Sequence, residues 1–161
     1  MGVSSEWAGQ TSEDHRATVL LRTEHARILE MFRRQHEFPS GTQLSRTAVE
    51  AEIAATLDLM LRIERDVLFP ALPSQYTALV RACAATHDDL ASRAAVMQRG
   101  SASIARQNAR VERLELLARE HLAAEQAMLF NALERDHPDL DRALYQRLVD
   151  ARRALCNTLP A

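Results

Sequence analysis

The sequence predicts an all-α protein: an up-down-up-down four-helix bundle followed by a short fifth helix at the C-terminus. Three observations carry this. Ala, Leu, Arg and Glu dominate, with only four Gly and five Pro in 161 residues, a composition that favours helix. Apolar residues recur at helical spacing, and no stretch alternates with the period of two that a half-buried strand requires. The breakers are clustered, leaving long segments joined by short loops, and helices joined in that way pack antiparallel.

The first helix is expected from about Asp14 to Glu37, where Val19, Leu21, Ile28, Leu29 and Phe32 lie at helical spacing. FPSGT at 38–42 breaks it. The second helix is expected from near Ser45 to Pro70–Pro73, with Ser74 as candidate N-cap of a third that runs to about Arg99. Gly100 and its neighbouring serines make the next turn. The fourth covers about Ile104 to Arg135 and stops at DHPD, with Pro138 as breaker. The last covers about Leu140 to Cys156. Residues 1–12 are polar and read as a flexible N-terminus, leaving 13–161 as a single domain long enough to bury its own core.

Formal net charge is −2 and every basic residue is Arg, interspersed with acids. No basic block is available for nucleic acid. Two widely separated cysteines, Cys83 and Cys156, form no CxxC and fit a reducing compartment. The N-terminus lacks the apolar core of a signal peptide, its MGxxxS start reads as a chance match to the myristoylation pattern, and no apolar run approaches the ~20 residues that span a bilayer. The expectation is a soluble, cytoplasmic chain without a membrane partner. No nucleophile–base pair and no phosphate loop is present, which leans away from an enzyme. A homodimer or a protein partner is left open.

The chemistry lies in an internal repeat. Residues 59–72 read LMLRIERDVLFPAL and 120–133 read EHLAAEQAMLFNAL. Aligned, Glu64 falls on Glu125, Leu68 on Leu129, Phe69 on Phe130 and Leu72 on Leu133. His25 lies 39 residues before Glu64, and His87 lies 38 before Glu125. The chain thus reads as two copies of one helical hairpin, His25–Met60–Glu64 and His87–His121–Glu125. At ~1.5 Å per residue, positions equally far from each loop centre place all six within ~6 Å of one level along the bundle axis. His121 and Glu125, four apart, share a helix face. Buried carboxylates without a partner are costly, and a cation removes that cost. Imidazoles with carboxylates inside a helix bundle suit iron or manganese.

The stretches LRTEHARILEMF, IERDVLFPAL and REHLAAEQAMLF resemble helix motifs of the hemerythrin-like, or HHE cation-binding, family, over about residues 14–135. The resemblance implies a four-helix bundle around a non-haem di-iron site. It gives ligand roles to His25, Glu64, His87, His121 and Glu125, with the glutamates as bridges. It also implies binding or sensing of O2, nitric oxide or iron. Met60 departs from the pattern, which expects His there. A thioether suits Cu(I) better than ferric iron, so one complete metal position and one degenerate position are expected, with one or two iron ions per chain. Restoring the donor by Met60→His is expected to add about one metal. The rival readings are a metal-free helical interaction module and an iron-dependent oxidase or peroxidase.

Taken singly, the three histidines read as hydrogen-bonded core residues, and Met60 as apolar packing. Cys83, one turn before His87, reads as a small buried hydrophobe. His36 reads as a helix-end residue, and Asp14 and His15 as capping or solvated residues. Glu134 and His137 form an ExxH of ferritin-type spacing, but once only and beside Pro138, so it reads as a decoy.

Overall fold

The computed structural model describes residues 15–38, 43–100 and 103–158. Among these residues it contains five helices and no strand. The expected flexible segment 1–12, Asp14 and most of the FPSGT turn lie outside the described residues.

Helix α1 is Ala17–His36. Its N-cap position, Arg16, has no side-chain acceptor to offer. The acceptor comes from the far end of the chain: Asp141 Oδ1 and Oδ2 accept from the Thr18 backbone N–H (2.9 Å) and hydroxyl (2.8 Å). Both residues are fully buried. A carboxylate at a helix N-terminus also meets the positive end of the helix dipole, and Arg33, Arg34 and His36 balance the other end.

Helix α2 spans 43–71 and is interrupted: regular over Gln43–Ile63, a π turn over Glu64–Leu68, then regular over Phe69–Ala71. Helix α3, Thr77–Gln98, comes after a single 3-10 turn at Ser74–Tyr76. Ser74 is therefore not the side-chain N-cap expected of it. Pro73, held extended, leads into the tighter turn, and the carbonyl of Ser74 accepts from the Thr77 hydroxyl at 2.7 Å. Gly100 closes α3 with φ +66°, a left-handed conformation that Gly adopts without a Cβ clash. Helix α4 spans 104–136, with Ser103 accepting from the Arg106 N–H at its start and a π turn at Gln126–Phe130. Helix α5, Pro138–Thr158, begins with a proline where no N–H is needed.

Helices α1 to α4 pack in a ring of neighbours, each antiparallel to the next, and α5 lies across α1 and α2. The apolar core is divided in two. One cluster, including Ile28, Phe32, Ile53, Leu57, Leu90, Leu114 and Leu122, fills the end that holds the α1–α2 and α3–α4 loops. The other, including Leu20, Leu68, Phe69, Leu129, Phe130, Leu133 and Leu144, fills the opposite end and receives α5. Each fully buried side chain of this size contributes ~1.5–3 kcal/mol of apolar burial. Between the clusters lies a layer of buried polar residues. No helix among the described residues is long and apolar enough to cross a membrane.

Candidate metal centre

The layer between the two clusters contains His25 from α1, Glu64 from α2, His87 from α3, and His121 and Glu125 from α4. All five are buried, and His25, Glu64 and Glu125 are fully so. The structure thus brings together all five residues that the sequence singled out. His25 Nε2 lies 3.1 Å from Glu64 Oε1 and 3.7 Å from Glu125 Oε2. His87 Nε2 lies 3.3 Å from Glu64 Oε2, and His121 Nε2 lies 3.6 Å from Glu125 Oε2. The Nε2 atoms of His87 and His121 face one another at 3.0 Å. Glu64, His87, His121 and Glu125 each offer a donor atom, and those four atoms lie within 4.8 Å of one another.

Both glutamates sit at backbone irregularities. Glu64 opens the π turn of α2, and Glu125 immediately precedes that of α4. A π turn adds a residue to the helical turn and re-aims the side chains beyond it, and such turns concentrate at functional sites. Pro70, without an N–H, comes just after the first, but Asn131 stands at the equivalent place in the second, so proline alone does not explain them. The repeat is visible in the rings as well. Phe69 of the first copy packs on His87 of the second with centroids 5.1 Å apart, and Phe130 of the second packs on His25 of the first at 5.2 Å. That exchange is the mark of a pseudo-twofold axis through the layer.

The two carboxylates are pushed in opposite directions. For Glu64, burial raises the pKa, but the hydrogen bonds and charges of His25 and His87 together outweigh it and hold the group at about 2. Burial and the adjacent Glu64 charge push Glu125 well above its ordinary 4.5. Burial, and then the neighbouring His87, bring His121 down to about 4.

The donors fit a cation. Both carboxylate oxygens of Glu125 and His87 Nδ1 are buried without a hydrogen-bond partner, and Glu64 Oε2 has only its 3.3 Å contact with His87 Nε2. Orphaned buried acceptors of this kind are expensive, and Glu125 belongs to the converging group. Two imidazoles with one or two carboxylates form the donor set of non-haem iron sites.

Met60, equivalent to His121, is buried and packs in the first apolar cluster. It also lines a small cleft with Leu21, Glu24 and Leu148. It brings no nitrogen or oxygen donor to the layer.

Two residues next to the layer were not singled out from sequence. Gln126 Nε2 donates to His25 Nδ1 at 3.1 Å, and Arg22 Nη1 donates to Gln126 Oε1 at 3.4 Å. The repeat held a signal: Gln126 aligns with Arg65, which is exposed, so the copies differ beside each glutamate. The other polar residues weighed from sequence lie away from the layer or take no part in it. Glu134 pairs with Arg22, whereas His137 lies against Gln75 and Tyr76, so the ExxH pair is divided between partners. His36 is exposed and bonds Glu115, and His15 stacks on Tyr145. Cys83 is buried, and burial with the Glu125 and Glu64 charges pushes its thiol up to about 12.

Residues 16–133 match the family model described as the hemerythrin HHE cation binding domain. Nothing matches among curated proteins or among solved structures.

Proposed function

Because the chain belongs to the hemerythrin HHE cation-binding family, we propose that it is a non-haem iron protein that binds or senses a small diatomic ligand such as O2 or nitric oxide. The observation that carries this reading is the pair of unpartnered carboxylate oxygens on Glu125, beside Glu64 and two histidine Nε2 atoms that converge on the same space. Without a cation the buried oxygens of Glu125 have no partner, which is costly.

In this reading Glu64, His87, His121 and Glu125 hold one iron, and His25 lies against both glutamates. Iron bound by such a set would supply one-electron chemistry and affinity for a small ligand. The chain's own contribution is to fix the donors and keep the site dry. Phe69 packs on His87, Phe130 packs on His25, and apolar clusters close the layer above and below. The missing donor at Met60 weighs against a symmetric two-iron centre. The free cysteines, one buried and one exposed, are compatible with a cytoplasmic setting.

The test is metal content per chain on protein expressed with added iron and purified without chelators. About one iron per chain, with a spectroscopic change on exposure to nitric oxide, is the expected result. A chain that binds no iron under these conditions overturns the reading.

A further inference from the structure

Three hydrogen bonds determine which nitrogen of His25 carries the ring proton. A guanidinium can only donate. The Arg22 Nη1 contact with Gln126 therefore places the amide oxygen of Gln126 toward Arg22 and its NH2 group toward the imidazole. Gln126 Nε2 then donates to His25 Nδ1 at 3.1 Å. In a neutral imidazole an accepting Nδ1 leaves the proton on Nε2, and His25 Nε2 faces Glu64 Oε1 at 3.1 Å, where that proton is donated. Arg22 is held in turn by Glu134 (3.3 Å) and Asn131 (2.7 Å), and it lies over the Phe130 ring. A relay of donors thus runs from the partly exposed Arg22 through Gln126 and His25 to a fully buried carboxylate.

Ligation through Nε2 needs the opposite arrangement. A metal-bound histidine keeps its proton on the other nitrogen and donates it outward to a carbonyl, carboxylate or water. The tight donor group contains Glu64, His87, His121 and Glu125, without His25. We propose that His25 is a fixed N–H donor, set by the Arg22–Gln126 relay, and not a metal ligand. The first half of the repeat has then lost its metal position twice, once at Met60 and once at Gln126. His25 Nε2–H stands at the edge of the remaining site, where it orients Glu64 and can donate to a small anionic ligand held there. This last consequence rests on the metal reading above; the tautomer does not.

The first experiment is ring-nitrogen NMR of the metal-free chain. The expected signature for His25 is a protonated Nε2. In Gln126→Glu the side chain can only accept, so a proton is expected at Nδ1. A protonated Nδ1 in the unaltered chain, or no change in Gln126→Glu, overturns the proposal. The second experiment is metal stoichiometry with added zinc, a diamagnetic probe. About one ion per chain is expected for the unaltered protein, for His25→Ala and for Met60→His, and about two for Met60→His combined with Gln126→Glu. Loss of the ion in His25→Ala, or two ions in Met60→His alone, overturns it. A chain with the expected tautomer that binds no ion in any form overturns the metal reading and leaves the role of His25 standing.

Discussion

His87 and His121 face each other through Nε2 at 3.0 Å, although they come from different helices and lie 34 residues apart. Without a cation, one ring must donate to the other. With one, both lone pairs converge on it. Removing either ring takes away one of two nitrogen donors and leaves one imidazole with two carboxylates, a weaker set for a transition metal. His121→Ala is expected to reduce metal content from about one per chain to near zero while the chain remains helical. Elemental analysis beside circular dichroism checks this, and full metal in the variant would remove His121 from the site.

The opposite shifts of the carboxylates and His121 make the metal-free chain sensitive to pH in a calculable way. Glu64, with its pKa lowered to about 2, contributes stability that is present above 4.5 and lost as pH falls toward 2. His121, brought down to about 4, contributes stability present above 6.5 and lost as pH falls toward 4. Glu125, with its pKa raised, binds a proton in the folded chain that the unfolded chain has released. Its contribution is full below 4.5 and is lost as pH rises through the raised value. Above 4.5 the Glu125 contribution therefore falls with rising pH. Glu125→Gln, which keeps the neutral form, is expected to remove that fall from the pH profile of the thermal midpoint of the metal-free protein. An unchanged profile in Glu125→Gln would rule out Glu125 as a source of the pH dependence.

The thiols should separate cleanly. Cys156 is exposed, whereas Cys83 is buried with its pKa pushed up to about 12. At pH 8 a thiol with that pKa is ionised to the extent of roughly one part in ten thousand, and the thiolate is the reactive form. A disulfide reagent is expected to modify one cysteine quickly in the folded chain and the second only in denaturant. Rapid modification of both would show that α3 opens around Cys83.

The helices and the five polar residues of the layer were legible because both obey a period. Helical spacing marks the buried faces, and the repeat pairs Glu64 with Glu125 and Phe69 with Phe130. Residues outside any period were not legible. The π turns at Glu64 and Gln126 leave no compositional trace, and the repeat alignment is as good with them as without. Gln126 becomes meaningful only when His25, 101 residues away, is beside it. Ser74 looked like a cap because it stands just after two prolines, yet Pro73 directs the chain into a 3-10 turn first. Asp141 stands at the start of the last helix, and nothing local in the sequence connects it with Thr18.

That long-range pair gives the last prediction. Asp141 and Thr18 are both fully buried, and Asp141 supplies the N-terminal cap that Arg16 cannot. It accepts two hydrogen bonds, from a backbone N–H and a hydroxyl, across 123 residues of sequence. Asp141→Ala leaves both donors buried without an acceptor and removes a favourable charge from the first turn of α1, at a cost of about 2–4 kcal/mol. Asp141→Asn keeps one acceptor, and the Thr18 hydroxyl can rotate to accept from the new amide, so its cost is expected to be about half as large. Urea unfolding at neutral pH measures both. Asp141 contributes no atom to the metal layer, so metal per folded chain is expected to be unchanged in either variant. If Asp141→Ala unfolds at the same urea concentration as the parent, the cap carries no stability and α5 is held by its other contacts, the Arg152–Glu24 ion pair among them.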